Sequence, residues 1–127
     1  MSTVWCGSCR SIARWASGAE DPYGLDLAFQ DIREAIAAGE VTWITLLLED
    51  AQRMPADEDT VREWAETYPS DAIPVIADPD KEMLMQAGGG GLPRIHLIGP
   101  DMNFVHIAGN TGSVDFGALE AARAWLD

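Results

Sequence analysis

The chain has 127 residues, 47% apolar and 23% charged, the balance of one globular domain with enough apolar side chains to bury a core, which excludes fibrous, repetitive and disordered classes. Eight Lys and Arg against 21 Asp and Glu give a formal charge of −13 at pH 7, a field that repels nucleic-acid phosphates and anionic headgroups. No basic run stands out against it, so nucleic acid is not an expected partner.

Met1 to Arg10 has no basic stretch followed by an apolar core, so no secretory leader is expected on these residues. From Cys6, the spacing of Cys9, Ile12, Ala13 and Ala16 predicts a helix that stops at Gly18. Leu25, Phe29, Ile32 and Ile36 form one stripe of a second helix, ended by Gly39. Val41 to Leu48 is apolar and β-branched with little alternation, which predicts a strand covered on both faces. The stretch from Ile44 to Leu48, with Thr45 inside it, is far shorter than the roughly 18 residues of a membrane span, so no membrane insertion is expected.

After a polar loop from Glu49 to Ala56, acidic residues open a third helix over Asp57 to Tyr68, which Pro69 ends. Ile73 to Ile76 reads as a short extended piece. Asp78-Pro79-Asp80 turns the chain into a short helix from about Lys81 to Ala87, closed by Gly88 to Gly91. Arg94 to Ile98 and Asn103 to Ile107 read as a hairpin around Gly99 to Met102. A last helix spans Val114 to Trp125, capped by Ser113 or Asp115, with Phe116, Leu119, Ala122 and Leu126 facing inward. Helices alternating with a buried strand predict an α/β, three-layer sandwich over residues 1–127, a mixed sheet flanked by helices.

The only two cysteines, Cys6 and Cys9, are two residues apart at a predicted helix start. A bridge between them closes so small a loop that it does little for stability, which points to chemistry. Helix N-terminal N–H groups favour a thiolate. Cys6 is placed to be the nucleophile, and Cys9, one turn deeper, can resolve a mixed disulfide. Two other readings exist: a Cys2His2 metal set with His96 and His106, whose spacing fits no finger, and an inert buried pair.

Trp5-Cys6-Gly7-Ser8-Cys9-Arg10, Ile73-Pro74-Val75-Ile76-Ala77-Asp78, and Gly91-Leu92-Pro93 followed by Ile95 to Asp101 resemble the thioredoxin-like superfamily, most closely its TlpA-type thiol-disulfide oxidoreductases. The resemblance covers nearly the whole chain. It implies a protein-disulfide reductase needing no cofactor and no metal, with a protein dithiol or disulfide as partner and an extracytoplasmic setting. It implies Cys6, Cys9 and Pro93 as the catalytic set, with Leu92-Pro93 cis against the cysteines, and Trp5, Gly7, Ser8 and Leu92 on the substrate surface. It also suggests Glu49 or Asp50, at the end of the buried strand, for proton transfer to Cys9. A thioredoxin-fold interaction module without turnover is the alternative.

Two positions depart from the family. Arg94 stands where a small residue is usual, and the family's central strand before Trp-Cys is missing, with Met1 to Thr3 too short to replace it. The expectation is therefore a truncated chain, or an open sheet edge filled by another segment or by self-association. Gly88 to Gly91 lacks the Lys and Ser/Thr of a phosphate loop. His96 and His106 read as structural, Trp15, Trp43, Trp64 and Trp125 as core or rim, and Trp5 as shaping the sulfur site.

Overall fold

The computed structural model describes residues 1–109 and 112–126. The chain is a mixed α/β fold with five helices and two two-stranded sheets among these residues. In order they are α1 (Gly7–Ala16), α2 (Asp26–Ala38), β1 (Thr45–Leu47), α3 (Glu58–Thr67), β2 (Val75–Ala77), α4 (Glu82–Gln86), β3 (Leu97–Ile98), β4 (Phe104–His106) and α5 (Gly117–Arg123).

The helices form where the apolar spacing places them. Phe29, Ile32 and Ile36 of α2 pack with Trp15 and Ala16 of α1 and with Leu119 and Ala122 of α5. Gly39 ends α2 in the left-handed region, at φ 77°, where a side chain would be strained. Asp57 caps α3 in a reciprocal box with Thr60. The last helix is shorter than its apolar pattern. It starts at Gly117, and Asp115, one of the two expected caps, accepts the Gly117 N–H at 2.8 Å.

The strands are shorter than their sequence runs, and β1 keeps only three of the eight residues from Val41 to Leu48. Val41 and Trp43 are drawn into the helical cluster, while Ile44 is exposed. Within β1, Thr45 and Leu47 are buried and Leu46 is half-buried, and Leu48 just beyond it is buried. Strand β1 pairs in parallel with β2, Leu46 opposite Ile76. The β3–β4 hairpin is antiparallel, with an irregularity at Leu97 and Ile98.

Among the described residues no strand lies between β1 and β3, as the sequence reading expects, and Met1 to Val4 bridge that place. Ser2 forms a parallel bridge with Leu47. Its N–H donates to Leu46 O at 2.8 Å, and its carbonyl accepts from Leu48 N at 3.0 Å. On the other flank, Arg94 N donates to Met1 O at 3.2 Å, and the Met1 amino group donates to Arg94 O at 2.8 Å. Residues Met1 to Val4 thus join the two sheets, in the spatial order β2, β1, Met1–Val4, the stretch from Arg94 into β3, then β4. Thr3 is completely buried in this seam. Four residues suffice because the flanking strands are themselves only two or three residues long, so few backbone groups need partners.

Candidate redox site

Cys6 is the N-cap of α1, with extended backbone, and its sulfur accepts the Cys9 N–H at 3.2 Å. The two cysteines are joined as a disulfide with Cα atoms 5.3 Å apart. The bridge sits in an apolar cluster with Leu47, Ala56 and Trp64, against which Val4 and Leu92 pack. Cys6 is 8% exposed and Cys9 1%, so the outer sulfur is the one a partner can approach. A peptide N–H aimed at that sulfur from the first turn of a helix favours its anionic form after reduction. Gly7 is exposed and Ser8 half-buried at the mouth of the pair.

Trp5, next to Cys6, is held from two sides. Its Nε1 donates to Glu49 Oε2 at 2.7 Å, and the Arg53 guanidinium lies 4.2 Å from the ring centroid, an attractive placement over an aromatic face. The other Glu49 oxygen accepts from Lys81 Nζ at 2.6 Å. The Lys81 and Trp5 hydrogen bonds hold the Glu49 carboxyl below its ordinary range, so it stays ionised. Both Glu49 oxygens are engaged in positioning Trp5 and Lys81.

Asp50 serves the loop itself. One oxygen accepts from Gln52 N at 2.8 Å and from Met54 N at 2.9 Å, and Asp50 N donates to Met54 O at 2.8 Å. Together with the Glu49–Pro55 bridge, these bonds fix the loop that carries Arg53, whose φ of 64° lies in the left-handed region.

The Leu92–Pro93 peptide bond is cis. Leu92 joins the cysteine cluster and Pro93 is buried. The glycine run delivers it: Gly88, Gly89 and Gly90 all have φ between 67° and 109°, a path open chiefly to glycine. Arg94 is 5% exposed and turns inward, donating from Nη2 to the Ala108 carbonyl.

His96 Nδ1 accepts from Ala108 N at 3.0 Å, and burial followed by the nearby Arg94 charge pushes its pKa from 6.5 down to about 4. His106 Nε2 lies 3.1 Å from Asp115 Oδ2. Backbone N–H groups of Gly109 and Gly117 are the main reason that the Asp115 carboxyl falls to about 2. Both histidines are therefore tied to backbone or carboxylate partners. Among the described residues no group of three or more His, Cys, Asp or Glu side chains is arranged to hold a metal ion.

The sequence reading places Trp5 and Glu49 at the cysteine pair, and the structure adds the hydrogen bond that joins those two side chains. It missed Arg53 and Lys81, which reach the site only through tertiary folding and belong to no periodic pattern. Comparison with family models, curated proteins and solved structures finds no match for this chain.

Proposed function

We propose that the chain is a thiol-disulfide oxidoreductase that exchanges electrons with protein dithiols and disulfides through Cys6 and Cys9, on a thioredoxin-like three-layer sandwich. The observation that carries this reading is the Cys9 N–H directed at the Cys6 sulfur at a helix start, with Cys6 the more exposed of the pair. The sequence resemblance supports it, as does the packing of Leu92 against the cysteine cluster.

In the reducing direction the Cys6 thiolate attacks one sulfur of a partner disulfide. A bond forms between Cys6 and that sulfur, and the partner's other sulfur leaves as a thiolate. Cys9, deprotonated, then attacks the Cys6 sulfur and expels the second partner thiolate. Two electrons pass to the partner, the Cys6–Cys9 bridge forms, and the two protons lost by the cysteines end on the partner's thiols. A dithiol reductant returns the bridge to thiols by the same steps in reverse. Direction with a given partner follows from the two reduction potentials.

Reduction of insulin disulfides, with dithiothreitol as the terminal reductant, tests the reading. Wild type should accelerate it, Cys6→Ser should abolish the acceleration, and Cys9→Ser should accumulate a mixed disulfide on Cys6. No acceleration by folded wild type, together with no mixed disulfide on Cys9→Ser, would leave an interaction module without turnover.

A further inference from the structure

The Cys6 surface is an electrostatic exception in this chain. The first 19 residues contain no Asp or Glu and two Arg, whereas all 21 acidic side chains lie from Glu20 onward. Of the eight cations, Arg33, Arg62, Lys81 and Arg123 are ion-paired with carboxylates, and Arg94 is buried. The remaining three, Arg10, Arg14 and Arg53, are exposed and form no ion pair among the described residues.

All three lie on the helix that carries the cysteines or on the loop over Trp5. Arg10 Nη2 is 4.0 Å from where a Cβ on Gly7 would sit, Arg14 follows one turn later on α1, and Arg53 covers Trp5. The carboxylates of the neighbouring loops are engaged by the protein: Glu49 by Trp5 and Lys81, Asp50 by the Gln52 and Met54 N–H groups, and Asp78 by the Glu82 and Met83 N–H groups. At physiological salt, charges more than about 8 Å from an approaching group are largely screened. Arg53 acts on Glu49 through space, but neither it nor Arg10 or Arg14 is held in an ion pair among the described residues, so a partner at Cys6 meets three guanidinium groups on a chain of −13 overall.

We propose that this surface docks an acidic protein segment flanking the partner's disulfide, with Arg10 and Arg53 as its specificity-determining contacts. The proposal rests on the redox reading above and names its partner class. A protein segment fits better than a small anionic disulfide because the site is a surface rather than a pocket. A cavity of about 210 Å³ lined by Trp15, Gly18 to Asp21, Asp26 and Arg33 includes neither cysteine. Trp5 and Met54, 36% and 59% exposed, offer apolar area beside the charges for an extended chain.

The experiment follows single-turnover oxidation of the reduced protein, at about 0.15 M salt, by two peptides with the same internal disulfide but Glu-rich or Lys-rich flanks. Arg10→Glu and Arg53→Glu are compared with Arg62→Glu, a change of equal net charge at a cation already ion-paired with Glu58 and Asp59 on α3, and Arg10→Gln and Arg53→Gln serve as milder variants. The ratio of acidic-peptide to basic-peptide rate should fall about threefold or more in each of the first two, since charges at an interface rim act chiefly on association. It should stay at the wild-type value in Arg62→Glu.

Taking a ratio cancels any effect of the variants on Cys6 itself. An equal ratio in wild type, Arg10→Glu and Arg53→Glu would overturn the docking proposal while leaving the redox reading intact. So would oxidised glutathione reacting faster than the acidic peptide. Failure of wild type to react with any of the three disulfides would overturn the redox reading, and the docking proposal with it.

Discussion

Glu49 and Trp5 are locked together by a 2.7 Å hydrogen bond that places the indole beside Cys6, while the remaining Glu49 oxygen holds Lys81. A carboxylate occupied on both oxygens and kept ionised is a positioning residue in this arrangement. Glu49→Ala is expected to slow disulfide exchange by roughly three- to tenfold, in line with the loss of one or two site-orienting contacts. Glu49→Gln, which keeps an acceptor for the indole, should lose less. Because Glu49 is held ionised, both variants should keep the wild-type shape of the pH–rate profile between pH 6 and 9. Disappearance of an ionisation from that profile would instead make Glu49 the proton-transfer group the sequence suggested.

Cys6 should be the reactive thiol of the reduced protein. It is the more exposed residue of the pair and the one whose sulfur accepts a helix N–H. With limiting iodoacetamide at pH 7, peptide mass spectrometry should find the label on Cys6 well before Cys9. Preferential labelling of Cys9 would exchange the two roles.

Acid should weaken the fold through His96. The unfolded chain takes up the His96 proton near pH 6.5, the folded chain only near pH 4. Between those values the unfolded state binds more protons, so stability is lost as the pH falls through that window. Urea denaturation at pH 7 and at pH 4.5 should show a drop for wild type that is smaller for His96→Gln, which retains an acceptor for the Ala108 N–H. Identical drops would mean that His96 is protonated in the folded protein.

Gly117 is held to glycine by crowding at the start of α5. A Cβ there would lie 2.8 Å from His106 Nε2 and 3.0 Å from Asp115 Oδ1. Gly117→Ala should therefore destabilise by about 1 to 3 kcal/mol, the usual cost of overpacking, measured as a shift in the urea midpoint. A midpoint unchanged or raised would show that His106 can swing away freely.

Helices were legible because their signals are local. The stripe of Phe29, Ile32 and Ile36, the acidic start of α3, and the glycines at 39 and 88 act within one or two turns. Strand lengths were less so, since a residue such as Val41 or Trp43 reads as strand material whether it pairs in a sheet or fills the cluster between helices. Judging Met1 to Thr3 too short to replace a central strand assumes flanking strands of ordinary length, whereas β1 and β3 are only three and two residues long. At the site, Cys6 and Cys9 announce themselves by spacing, whereas Arg53 arrives through a left-handed loop conformation that no pattern encodes.

The seam from Met1 to Val4 ends two residues before Cys6. Val4 N–H donates to Glu49 O at 3.1 Å, and Cys6 N–H turns back to Thr3 O at 3.4 Å, so no slack chain separates the sheet from the helix cap. The same few peptide groups that close the sheet also set the height of Cys6 above it. Fraying of this seam and misplacement of the sulfur are thus a single mechanical event. Amide exchange at Ser2 and Val4 is accordingly a direct gauge of how firmly the Cys6–Cys9 pair is seated.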